Sequence, residues 1–135
     1  MSRALRQRVR DRAGGRCEYC HLPDFAAPAS DFHVEHVIAK QHRGSDESDN
    51  RCWCCHHCNL HKGPNLSGRD PVTDKVVRLF DPRRQSWKRH FRWSGAILVG
   101  RTQTGRATVA VLDANDRQRV ILRQILIDAE EWPES

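Results

Sequence analysis

The sequence predicts an α+β chain: a zinc-clamped ββα finger with an N-terminal helix before it and a C-terminal antiparallel β-sheet plus helix extension after it. Three observations predict this. Cys17-Glu18-Tyr19-Cys20 and Cys55-His56-His57-Cys58 are two Cys-x-x-Cys knuckles with 34 residues between them. Inside that interval, Phe32, Val34, His36 and Ile38 alternate with His33, Glu35 and Val37, the period of a strand. Near the end of the chain, Val120, Ile121, Leu122, Ile125, Leu126 and Ala129 recur at helical spacing.

Taken in order, residues 2–13 are helix formers with Leu5, Val9 and Arg12 on one face, and Gly14-Gly15 stops that helix before the first knuckle. Residues 21–31, with Pro23 and Pro28, read as loop, and residues 32–38 as a strand. The polar run 42–50 is a second loop, followed by a short strand about Trp53 and a helix from about Cys55 to the stop at Gly63-Pro64. Beyond it, residues 75–80 read as a strand, and 96–99 with 107–112 as a hairpin across 100–105. The last helix spans 116–129 with Asn115 as N-cap; its Ile and Leu stripe is core, or else a dimer interface. Residues 1–66 are thus expected to be the clamped core and 67–135 an extension packed on it. At 135 residues the chain buries a modest core, which a metal staple would strengthen.

Two knuckles complete a tetrahedral four-cysteine zinc site from Cys17, Cys20, Cys55 and Cys58. The interval between them is roughly twice the 15–20 residues of a common zinc ribbon, so the closed loop has room for something else. Disulfides are the competing reading. The opening Met-Ser-Arg-Ala-Leu-Arg carries no apolar signal segment, however, and points to a reducing, cytoplasmic setting. Cys52-x-x-Cys55 is a second valid knuckle. The pair Cys55 and Cys58 is preferred because it sets Asn59 directly after a ligand, leaving Cys52 and Cys54 as small buried side chains or as further ligands.

The formal charge is +6; four thiolates with one Zn2+ carry −2 together, so the zinc-loaded chain stands near +4. Residues 3–16 hold six arginines against Asp11 alone. Arg83, Arg84, Lys88, Arg89 and Arg92 are interleaved with Trp87, His90 and Phe91, and Trp93 follows. Cations broken by aromatics suit nucleic acid, with guanidinium on phosphate and rings on exposed bases or on the protein's own core. Lys62 is a further candidate for phosphate. No apolar run approaches the roughly 18 residues of a membrane span, so the membrane is excluded as a partner.

The inner residues have the chemistry of phosphodiester hydrolysis, which needs a base for water and a divalent ion for the phosphate and leaving oxygen. An unperturbed imidazole, with pKa near 6.5, makes His36 a suitable base. Glu35 offers a hard oxygen and Asn59 a second through its amide carbonyl, a donor set for Mg2+ or Mn2+. An amide at Asn50 is placed to tie the loop backbone together and hold His36. Neighbours on a regular strand face opposite ways, so Glu35 and His36 share a site only near a strand end or bulge. His33, His56, His57 and His61 read as structural or phosphate-facing rather than as ligands.

His36, Asn50 and Asn59, spaced 14 and 9 residues apart, resemble the signature of HNH endonucleases whose final histidine is replaced by asparagine. Residues 17–63, from Cys17-Glu18-Tyr19-Cys20 to Cys55-His56-His57-Cys58-Asn59-Leu60-His61-Lys62-Gly63, are similar to bacterial members with a four-cysteine zinc. Asp81-Pro82-Arg83-Arg84, His90-Phe91-Arg92-Trp93 and Gly105-Arg106-Ala107-Thr108-Val109 look like an extension found in one subgroup. The resemblance implies that His36 activates water, Glu35 and Asn59 bind the catalytic metal, Asn50 is structural and the cysteines hold a structural zinc. It further implies nicking of DNA, single- or double-stranded, with weak sequence preference and a 5′ phosphate product, by a monomer or homodimer. A catalytically inactive, zinc-stabilised nucleic-acid-binding module is the alternative. Arg43 in place of a common glycine, Arg51 in place of an aliphatic residue, and Cys52-Trp53-Cys54 depart from the family pattern at non-catalytic positions.

Overall fold

The computed structural model describes residues 2–132. The chain divides into two compact units, Met1–Leu66 with Asp81–Gln85, and Ser67–Phe80 with Ser86–Ser135. Helices and three two-stranded antiparallel sheets, among the described residues, make it α+β.

In the first unit, the Ser2 hydroxyl accepts from the Leu5 N–H at 3.1 Å and caps α1 (Arg3–Arg12), which buries Val9. Gly14 and Gly15 then take left-handed backbone (φ 66° and 72°) that ends the helix cheaply. The proline-containing segment holds two short 3-10 turns, Asp24–Ala26 and Ala29–Asp31. β1 (Phe32–His36) pairs antiparallel with β2 (Arg51–Cys55), setting Phe32 opposite Cys55 and His36 opposite Arg51. α2 (His56–Lys62) follows β2 without a linker and stops at Gly63, where φ is 51°. Phe32 stacks on Trp53 at 5.5 Å in a core that also buries Tyr19, Leu22 and Val34.

β1 stops at His36, two residues before the alternation does. From there the backbone turns to Asn50: Val37 N–H donates to its carbonyl and Ile38 N–H to its side-chain oxygen, both at 2.9 Å. The N-terminal arginines are also placed differently from a nucleic-acid footprint. Arg6 donates to the Ala29 and Phe32 carbonyls and lies 4.6 Å over the Trp53 ring, and Arg10 grips Asp24 at 2.6 Å. Arg12 donates to the Ser48 and Arg51 carbonyls at 3.0 and 2.7 Å. Three of the six cations are therefore committed inside the unit, pinning α1 to the hairpin and its loop.

The second unit pairs β3 (Ser67–Arg69) with β4 (Val76–Arg78), and β5 (Phe91–Ser94) with β6 (Ile97–Gly100). α3 (Trp87–His90) precedes β5, and α4 (Gln103–Val111) and α5 (Arg117–Asp128) follow β6. The expected hairpin of 96–99 with 107–112 is not formed: residues 103–111 are helical and β6 pairs back to β5 across Gly95. Thr102 explains the difference, since its hydroxyl accepts from Gly105 N–H at 3.0 Å and opens a helix that an Ala-Val run suits as well as a strand. Gly105 is required there: a Cβ would stand 2.0 Å from the His90 carbonyl oxygen. The N-cap of α5 is Asp116, not Asn115. Asn115 instead bonds both backbone groups of Leu98 at 2.8 Å and accepts from Arg123. On α5, Leu126 and Arg123 are buried, whereas Ile121 and Ile125 are 48% and 58% exposed, so the expected apolar core stripe is only partly buried.

Asp70 is fully enclosed in this unit. It accepts from Arg106 Nε and Nη2 at 2.9 and 2.8 Å, from the Val72 N–H, and from the Thr73 hydroxyl. The Arg106 hydrogen bond, more than any other influence, holds this carboxyl well below the usual carboxylate range. A carboxyl more acidic when folded than its unfolded value near 3.9 contributes stability above that value and loses it as the pH falls. Asp70→Asn is therefore expected to lower the chemical-denaturation midpoint clearly at pH 7, with the difference from wild type shrinking from about pH 5 downward.

Candidate metal centre and active site

The metal centre is assembled where the first knuckle meets the start of α2. The sulfurs of Cys17, Cys20, Cys55 and Cys58 all lie within 4.8 Å of one another and are buried. Cys20 Sγ and Cys55 Sγ are 3.7 Å apart. A tetrahedral ion with Zn–S bonds of about 2.3 Å sets its sulfurs about 3.8 Å apart, so the donors fit zinc. Cys55 doubles as the N-cap of α2, its sulfur accepting from the Cys58 N–H at 3.5 Å. Glu18, inside the first knuckle, bonds Trp53 in both directions at 2.9 and 2.7 Å and fastens the knuckle to β2.

Burial raises the Cys17 thiol, and hydrogen bonding from Cys17 raises Cys55 and Cys58, all well above the ordinary thiol value. Four thiolates cannot share so small a buried volume without a cation, and a divalent metal reverses that penalty. Cys52 and Cys54 lie on β2, nearly fully buried and outside the four-sulfur group. Burial pushes the Cys52 thiol up to about 12. The surplus histidines pair with one another: His33 with His56 at 5.6 Å between ring centroids, and His57 with His61 at 4.3 Å.

At the other end of the hairpin stand His36 and Asn50. The Asn50 side chain is buried; its oxygen accepts from Ile38 N–H while its nitrogen donates to the Ile38 and Ser45 carbonyls at 3.0 and 2.8 Å. This one amide closes the 38–50 loop. Gly44 is needed for the closure, because a Cβ there would sit 1.7 Å from the Ile38 carbonyl oxygen. His36 is the last residue of β1, and its Nε2 lies 2.8 Å from Asp46 Oδ1. Lys40 Nζ reaches the other Asp46 oxygen at 3.2 Å, and Arg51 Nε donates to the Asp46 carbonyl at 2.9 Å. The His36 hydrogen bond, followed by that of Lys40, holds the Asp46 carboxyl below its ordinary value. Asp46 lies inside the stretch 17–63 that carries the sequence resemblance, in an acidic loop shared with Glu47 and Asp49, and only the folded loop gives it a partner in His36.

Residues 17–65 match the family model described as HNH endonuclease. The match covers this segment alone, which is similar to HNH endonucleases. Comparison of the chain with curated proteins and with solved structures gave no match. Within the HNH segment, the three departures from the family pattern have local explanations. Arg43 takes left-handed backbone (φ 64°), where glycine is the easier residue. Arg51 anchors the Asp46 backbone, and Trp53 is the ring on which Phe32 and Arg6 pack.

Glu35 and Asn59 are both part-exposed, Glu35 next to His36 on β1 and Asn59 on α2, which packs against both strands of the hairpin. Two phosphate contacts expected from sequence are corrected. Lys62 is buried, with Nζ donating to the Val37 carbonyl at 2.9 Å, and burial lowers its pKa. It locks the end of α2 to the end of β1 instead of meeting solvent. Arg83 is ion-paired with Glu18, both side chains largely buried, so that guanidinium is occupied too. Arg84 is half-exposed and pairs with Asp81 at 3.0 Å, while Lys88, Arg89 and Arg92 are exposed.

Cys55→Ser and Cys17→Ser are expected to remove bound zinc and the cooperative melting transition together. Cys52→Ser should retain one zinc per chain by elemental analysis.

Proposed function

We propose that the chain is a metal-dependent endonuclease that nicks DNA with weak sequence preference, one strand per active site, in a cytoplasmic setting that keeps the cysteines reduced. The observation that carries this reading is His36 at a strand end, held by a carboxylate, in a loop closed by the Asn50 amide. The β1–β2–α2 order and the adjoining four-sulfur cluster support the ββα-metal arrangement of the family.

An ionised carboxylate only accepts hydrogen bonds. Nε2 of neutral His36 therefore carries the hydrogen shared with Asp46, and Nδ1 keeps the lone pair. Nδ1 is the atom that takes the proton from the attacking water, and the Asp46 charge stabilises the imidazolium that results. Glu35 and Asn59 would hold Mg2+ or Mn2+; their hard oxygens suit these ions, which leave remaining positions to water and phosphate. When bound, such an ion supplies positive charge to the scissile phosphate and the leaving oxygen. The zinc is structural.

The test is conversion of supercoiled plasmid by wild type and His36→Ala with Mg2+, Mn2+ or neither, zinc content being measured on each sample. Metal-dependent nicking that falls at least about a hundredfold in the variant, at unchanged zinc content, is the expected result. No conversion by folded, zinc-loaded wild type with either ion would leave the non-catalytic nucleic-acid-binding module as the better description.

A further inference from the structure

The second unit contains a cleft of about 560 Å3, lined by Trp87, Phe91, Trp93 and Trp132 together with Lys88, Arg92 and Arg101. That volume is within the roughly 300–1,000 Å3 of small-ligand sites. The rings form a connected set. Trp87 lies 5.2 Å from Phe91 and 5.8 Å from Trp93, and Trp93 meets Trp132 edge-on at 5.2 Å. Phe91 is buried beneath the set, while Trp87, Trp93 and Trp132 are part-exposed. The three cations are exposed, and among the described residues no acidic side chain lines the cleft. Arg101 is fixed at the rim by donating to the Lys88 carbonyl at 2.9 Å.

We propose that this cleft is a base-stacking site for single-stranded nucleic acid. The charge decides the class of ligand. Aromatic cages also take quaternary or methylated ammonium groups, but three cations on the rim with no carboxylate repel such a ligand. A flat apolar body with negative charge beside it satisfies both halves of the lining, and a nucleobase on its phosphodiester backbone is that body. Bases inside a duplex are already stacked and present only their edges, so the occupant is an unpaired stretch. The site is remote in sequence from His36 and Asn59, and it gives the extension a binding task of its own. The inference shares with the proposed function the premise that the ligand is nucleic acid, but it requires no cleavage.

The test is fluorescence anisotropy with the full zinc-loaded chain and no added Mg2+ or Mn2+. The probes are a labelled twenty-nucleotide thymidine strand, an abasic strand of the same length, and a duplex. Stacking contributes about 1–3 kcal/mol per base, so the thymidine strand is expected to bind at least about tenfold tighter than the abasic strand. Trp87→Ala should erase that difference, and the charge reversal Arg92→Glu at an exposed position should weaken both strands. Equal binding of the thymidine and abasic strands by wild type would overturn the proposal, whatever the variants do, and would mean contact with phosphates alone. An unchanged affinity in Arg92→Glu would overturn it as well. The outcome is separable from the nuclease reading: a chain that nicks plasmid but shows no base dependence fails here only, and the reverse result fails the nuclease reading only.

Discussion

Four sulfurs in one buried cluster are the constraint on which the first unit depends. The chain brings Cys17 and Cys20 from the loop after α1, and Cys55 and Cys58 from the junction of β2 with α2, into a space that thiolates alone cannot share. A zinc ion held by the four sulfurs would resolve that repulsion and fix the start of α2 relative to β2. Glu18 then stitches the first knuckle to the Trp53 backbone, and Arg83 covers the Glu18 carboxylate. At the far end of the hairpin a single amide, Asn50, does the corresponding work for the loop that presents His36. The arrangement has two fixed ends with the candidate chemistry between them: β1 carrying Glu35 and His36, and α2 carrying Asn59.

The basic charge of the chain is divided between structure and surface in a way a count does not reveal. Arg6, Arg10, Arg12, Arg83 and Arg123 bond carbonyls, carboxylates or rings of their own unit, and Arg106 holds Asp70. A guanidinium presents five donors in a planar fork, which makes it an efficient clamp for irregular backbone in a chain with few long strands. Of the exposed cations, Lys88, Arg92 and Arg101 line the cleft with the tryptophans of the second unit, while others, such as Arg3, Arg8, Lys40, Arg43, Arg69, Lys75, Arg78 and Arg117, are spread over both units.

The hairpin, α1 and α2 were legible in the sequence because their signals are local: alternation over 32–36, a serine cap, glycine stops and ligand spacing. The choice of Cys55 with Cys58 over Cys52 with Cys55 was open from spacing and is decided by which sulfurs converge. β3 could not be read, since Ser67-Gly68-Arg69 has no alternation and becomes a strand only by pairing with β4. Residues 107–112 read as a strand because Ala and Val serve either period; the Thr102 hydroxyl and the close approach of Gly105 to His90 tip 103–111 to helix. Around His36 the residue types were legible and the partners were not. Asp46 reaches Nε2 only after the loop closes, and Lys62 turns inward only because the Val37 carbonyl is left over at the end of β1.

The most direct measurement follows the circular-dichroism melt and the plasmid nicking of one preparation stripped of zinc by a chelator under reducing conditions, then given Mg2+ alone, then zinc and Mg2+ together. If the four-sulfur cluster organises the site, stripping abolishes both the cooperative melt and the nicking, Mg2+ alone restores neither, and one equivalent of zinc restores both. A zinc-free chain that still melts cooperatively and nicks DNA with Mg2+ would contradict the account.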